Sequence, residues 1–280
     1  MKHTGNSPLL PFFAAALSHA MFAAMTADKI SYTVREGLLA ALLAGLGAWA
    51  GLGLLRLLDG QKLCGGSGAA GRLGRGLLAA ALAAAACQTL YELAAVYARQ
   101  YEHGVFWVLL LGASLLTLPP ALPALGRVSC AALALAGLAA ALLAAGLSSQ
   151  MRIRALSLAP VRLSAVWAAA DRLFCFLPEY LALPAVAGQQ KHWGRLPLWT
   201  ALCQAGLLLA SELVFGFSAG NGRYPAGEVL RAWSLGFFSR MDALWTGLWL
   251  VLAMLRLLLI RSICLQLWPQ MQGKQVRHEA

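Results

Sequence analysis

The chain is built from long Ala- and Leu-rich runs joined by short polar connectors, and none of the runs alternates apolar with polar residues at period two. About 20 apolar residues in a helix cross a bilayer. In hydrocarbon every backbone N–H and C=O must be paired inside the protein, which admits only helical bundles and closed barrels. Barrel strands alternate, so their pattern is excluded and an all-α transmembrane helical bundle is left. Only 12% of the 280 residues are charged, against roughly 25% in soluble domains. No polar stretch is long enough for a water-soluble domain, so residues 1–280 read as a single transmembrane domain.

The pattern predicts about eight spans: 8–26, 36–58, 77–98, 105–118, 129–147, 164–188, 197–218 and 240–267, with an amphipathic segment over 228–239. Pro8 and Pro11 open the first span, where a missing N–H is tolerated. Pro119, Pro120 and Pro123 close the fourth. The Gly-rich run from Asp59 to Gly76 follows no strand and lacks a GKS or GKT ending, so it reads as a flexible linker. The sixth region is interrupted by Asp171, Arg172, Pro178, Glu179 and Pro184. Two prolines six residues apart should kink or unwind it and free backbone carbonyls. Broken helices of this kind build solute sites in secondary transporters.

The net charge of +11 comes from Lys and Arg placed singly in connectors and at span ends. That placement suits lipid headgroups and topology, not nucleic acid. A slight excess of basic residues on one side favours cytoplasmic N- and C-termini. The six cysteines show no CxxC and no partner histidine spacing, so they read as small packing residues. No cleavable signal peptide is evident before the first span.

Ionisable residues inside a span are functional candidates by default. Glu92, Asp171 with Arg172, Glu179, Glu212, and Arg240 with Asp242 qualify. Glu92 sits in an Ala-rich span whose small residues permit close packing, so it should face the bundle interior. Asp171, Pro178 and Glu179 share the interrupted helix and, with Glu92, form the candidate ligand site. Glu212 could pair with Arg240. Arg240 and Asp242 are too close in sequence to face each other on one helix and read as interfacial anchors. Trp233, Trp245, Trp249 and Trp268 read as aromatic belt and packing. His19, alone inside the first span, reads as a packed neutral imidazole. The chain has no GxSxG, HExxH or paired acidic motif, so neither an enzyme nor a metal or cofactor site is expected.

The stretch from Tyr224 to Arg261 resembles the endospore germination permease family, the B subunit of nutrient germinant receptors within the amino acid–polyamine–organocation transporter superfamily. That family shows a Pro-containing loop, a short helix, and a Phe-Phe-x-Arg run into a span. Here the run reads FFSRMDALWTGLW, with Phe237, Phe238, Arg240, Asp242 and Trp249 in the matching places. The interrupted region is similar to the family's sixth span: Asp171 or Glu179, then Pro184, then the basic stretch from Lys191 to Arg195. The resemblance implies a permease-like bundle in the spore inner membrane. It implies an A-type subunit and a C-type lipoprotein as partners, and recognition of an amino-acid-like nutrient. Family members usually have ten spans, so about eight would leave the second inverted repeat incomplete. A proton-coupled amino acid transporter and a non-binding membrane scaffold remain as alternatives.

Overall fold

A computed structural model describes residues 9–25, 33–57, 69–100, 112, 122–148, 160–174, 177–187, 195–215, 234–235, 238–239 and 242–271. Its helices are α1 (Leu9–Met25), α2 (Val34–Leu57), α3 (Ala69–Gln100), α4 (Leu122–Leu147), α5 (Leu163–Phe174), α6 (Leu177–Ala187), α7 (Arg195–Phe215) and α8 (Asp242–Met271). Within α2, α3, α4 and α8, the stretches Arg35–Leu54, Gly71–Ala95, Ala124–Gly146 and Leu244–Leu267 are long and apolar enough to cross a membrane. The predicted fourth span lies outside the described residues except for Gly112, which is helical and buried against Leu90 of α3.

α1 is the hub. It is short, apolar on every side, and packs against α4, α5, α6, α7 and α8. A helix that is apolar all round belongs in the middle of a bundle. It runs antiparallel to α8: Trp249 donates to the Ser18 carbonyl at 3.1 Å and stacks on Phe22, while Phe12 shares a cluster with Ile263 and Leu267. α4 lies at the edge, with Leu135, Leu138 and Leu142 facing outward.

Two large apolar clusters fill the interior at successive levels, and a small third one joins α2 to α5 through Ala40, Val166, Ala169 and Ala170. One large cluster joins Met21, Leu93, Trp245, Trp249 and Leu252; the other joins Phe12, Leu82, Tyr180, Leu183, Leu259 and Ile263. Trp245 and Trp249 thus take the packing role expected of them, as core residues, while Trp233 and Trp268 lie outside the residues whose side chains are described. α2 meets α7 backbone to backbone. A Cβ on Gly45 would stand 2.6 Å from the Ala201 Cβ and 3.3 Å from the Pro197 carbonyl oxygen, so only glycine fits that crossing.

Several sequence boundaries are corrected. α3 begins at Ala69, so the end of the expected linker is helical. Gly71 and Arg75 are buried there, and tertiary packing of this kind outweighs the roughly 1 kcal/mol that each helical glycine costs. α4 begins at Leu122, with Pro123 in its first turn and not closing an earlier span. In a first turn the absent N–H removes no helical bond. The end of the expected amphipathic segment is extended, with Ser234 pairing Ser239 and Leu235 pairing Phe238. Of the described cysteines, Cys264 packs against the apolar core as expected and Cys203 is half-buried, whereas Cys87 and Cys130 face outward.

The interrupted region is two helices, α5 and α6, with Cys175 and Phe176 between them. Pro178 is the second residue of α6 and marks the break, because residues before a proline avoid the helical region. Pro184 lies inside α6, which continues to Ala187, so the second proline does not end the helix.

Candidate functional site: a buried charge cluster

Four ionisable side chains from four helices meet between the two apolar clusters: His19 of α1, Glu92 of α3, Glu179 of α6 and Arg256 of α8. All four are buried, Glu179 and Arg256 completely. The break brings Glu179 there. It occupies the first turn of α6, where its side chain is fully buried. The first N–H groups of such a helix carry partial positive charge, which suits an acidic residue.

Arg256 is the centre of the cluster. Its Nε donates to Glu179 Oε1 at 2.7 Å. Its Nη1 lies 3.4 Å from His19 Nδ1 and 3.8 Å from Glu92 Oε2. His19 Nδ1 also approaches Glu92 Oε1 to 3.4 Å, and Gln88 Nε2 donates to the same oxygen at 3.3 Å. Glu179 Oε2 is buried and has no hydrogen-bond partner among the described residues. A buried acceptor left without a donor costs about 1–3 kcal/mol. Beside it, Tyr180 and Thr200 of α7 share a 2.9 Å hydrogen bond, and the Thr200 hydroxyl donates to the Leu196 carbonyl.

A second polar arrangement lies at the starts of α2 and α5. Thr33 N donates to Glu36 Oε2 at 2.7 Å and Glu36 N to Thr33 Oγ1 at 3.3 Å, a reciprocal capping box. The same carboxylate accepts from Arg162 N at 2.7 Å, Nε at 3.1 Å and Nη2 at 3.2 Å. One buried acid thus holds two helix starts together. The Glu36 carboxylate raises the already high pKa of the Arg162 guanidinium, through hydrogen bonding first and charge second.

Of the residues singled out in the sequence, Glu92 and Glu179 are brought together, with Arg256 bridging them. Pro178 is half-buried beside Glu179. Asp171 lies in the last turn of α5, and its side chain, with those of Arg172, Pro184 and Glu212, is outside the described residues. Phe237 and Arg240 are also outside them; Phe238 and Asp242 are described by backbone only. His19, read as a packed imidazole, is packed and touches two ionisable partners. Arg256 was missed. Its signal was an arginine at the middle of the apolar stretch Leu244–Leu267. Glu36 was missed as well, although Thr33 followed three residues later by an acid is a capping signature.

No group of three or more His, Cys, Asp or Glu side chains that could hold a metal occurs among the described residues. The arrangement offers a guanidinium, two carboxylates and an imidazole in a water-poor interior. Such a set can bind a small ion of either sign, bind a zwitterion, or hold a proton. Family models, curated proteins and solved structures were all compared with the chain, and none of them matches it.

Proposed function

We propose that this protein is an integral membrane bundle of about eight spans that binds a small zwitterionic solute, such as an amino acid, at the Arg256–Glu179 pair. The observation that carries the reading is the free, fully buried Glu179 Oε2 at the tip of the α6 half-helix, 77 residues in sequence from the arginine that holds its other oxygen. A solute ammonium supplies the donor that this oxygen lacks. A solute carboxylate finds the Arg256 guanidinium and the N–H groups at the start of α6. Both partners are closed to solvent, so solute entry requires an opening movement, and α5 and α6 on either side of their break are the elements suited to it.

The resemblance of the Phe237–Trp249 run supports a narrower form of the proposal. In it the solute is a nutrient germinant, the membrane is that of the spore, and binding is signalled to an A-type subunit and a C-type lipoprotein. Calorimetry of the purified protein with a panel of amino acids tests the site. Binding should be lost in Glu179→Gln and in Arg256→Gln. Binding of equal strength in both variants rules the site out. Co-purification of the two partner subunits tests the narrower form.

A further inference from the structure

The cluster holds a second pair with its own chemistry. Arg256 and Glu179 are 2.7 Å apart and cancel each other's charge. Glu92 and His19 face each other at 3.4 Å from α3 and α1. Together they are neutral only when they share one proton. An uncompensated ion is expensive in such an interior, so the count of one proton matters to the whole bundle.

The contacts of His19 Nδ1 point to the same proton. A neutral imidazole nitrogen either donates or accepts, never both. The guanidinium has donors only, so the 3.4 Å approach of Arg256 Nη1 calls for a lone pair on Nδ1. An ionised Glu92 calls for an N–H on the same atom. Which call is met depends on where the proton sits.

We propose that Glu92 and His19 together form a proton-binding site in the bundle interior, holding one exchangeable proton between carboxylate and imidazole. In one state the proton is on Glu92 Oε1 and Nδ1 accepts. In the other the Oε1–H bond has broken, an Nδ1–H bond has formed, and a carboxylate stands beside an imidazolium. The 3.4 Å separation closes to hydrogen-bond range with a few tenths of an ångström of side-chain rotation. Gln88, which donates to Glu92 Oε1, steadies the carboxyl group in either state.

Among the described residues, charged groups from two further helices face the pair. α8 presents Arg256 and α6 presents Glu179. Glu36 of α2 is engaged by Arg162 at the helix start, and Arg75 of α3 and Arg261 of α8 lie turns away toward the other apolar cluster. Arg256 touches both pairs, so the proton state of one is felt by the other. The proposal stands whatever solute Glu179 and Arg256 bind.

The test uses the full chain in lipid nanodiscs, with protons as the only probe. Infrared difference spectra across a pH titration should show the carbonyl stretch of a buried carboxylic acid. Nitrogen NMR of labelled histidine should show one imidazole changing with it. Glu92→Gln should abolish the infrared band. His19→Gln should shift its titration, and Tyr91→Phe, at an outward-facing neighbour, should leave both signals unchanged. A wild-type protein with neither signal changing across the titration overturns the proposal without any variant. So does a band that survives in Glu92→Gln. A band that disappears only in Glu179→Gln would assign the proton to the other pair and equally overturn it. A wild-type protein that binds no solute, or solute binding unchanged in Glu179→Gln, with this band intact would instead count against the solute site alone.

Discussion

Replacing Arg256 by methionine removes the cation on which the cluster converges. Methionine is similar in length and flexible, so the change is mainly one of charge. Glu179 Oε1 then loses its 2.7 Å donor, and Glu92 loses the guanidinium 3.8 Å away. Breaking a buried pair by removing one partner costs about 3–5 kcal/mol. Each 1.4 kcal/mol is about tenfold, so the folded-to-unfolded ratio should fall by a hundredfold to several thousandfold. At about 2–4 °C per kcal/mol for a chain of this size, the thermal midpoint should drop by about 6–20 °C. Tryptophan fluorescence in detergent reads this directly, since Trp249 lies two turns from Arg256 in the same core. The double variant Arg256→Met with Glu179→Met is the stricter test. It swaps the pair for apolar packing, which is often neutral or stabilising, and should recover most of the loss. A single-variant drop of under about 2 °C would refute the reasoning. So would a double variant as unstable as the sum of its parts, because the cost would then be one of shape and not of stranded charge.

Glu36→Ala should destabilise by about 1–3 kcal/mol, because it strands a cap and the Arg162 backbone N–H together. Arg162→Ala should cost less, since that side chain is half exposed, and thermal melts of the two variants check the order. Gly45→Leu should cost at least about 1–3 kcal/mol by forcing α2 off α7. Gly51→Ala, whose Cβ would meet nothing within 4 Å, should instead gain a few tenths to about 1 kcal/mol. Equal midpoints for the two glycine variants would contradict the close crossing. Trp249→Phe should lose about 0.5–1.5 kcal/mol for its hydrogen bond to Ser18, with a further loss for the vacated volume, measurable in the same melts.

Period and length carried most of the architecture. Apolar runs without alternation placed α1, α2, α7 and α8 close to where they lie, because in a membrane the hydrocarbon thickness sets the length of an element. Boundaries failed where local signals opposed packing. Gly71, Gly74 and Gly76 read as linker, yet Arg75 among them is buried in a helix. Pro123 read as a stop, yet it opens α4. The break was legible from Pro178, but the sequence alone could not say that Pro184 would be absorbed. The site was legible by halves. Glu92 and Glu179 stand out as acids in apolar surroundings, whereas Arg256 and His19 acquire meaning only through partners on other helices, far away in sequence. Pairing across helices is a property of packing, which a single sequence does not encode locally.

The position of the cluster also explains why the helix is broken where it is. An unbroken helix from Leu163 to Ala187 would carry Glu179 as one interior residue, with its backbone N–H bonded to its own helix. As a separate helix starting at Leu177, α6 instead puts Glu179 in a first turn, where N–H groups lack helical acceptors and partial positive charge accumulates. Across from it, α8 runs uninterrupted and presents Arg256 as a fixed cation. The acid on the shorter, interrupted element and the base on the longer one form the contact that ties α6 to α8. A ligand or proton that weakens the 2.7 Å bond therefore acts on an 11-residue helix that starts at a break, while the 30-residue helix stays in place. Movement should then concentrate in α6, and hydrogen exchange should rise at its first turn in Arg256→Met before it rises in α8. Exchange that increased equally along both helices would show that the pair stabilises the bundle as a whole and holds no separately movable element.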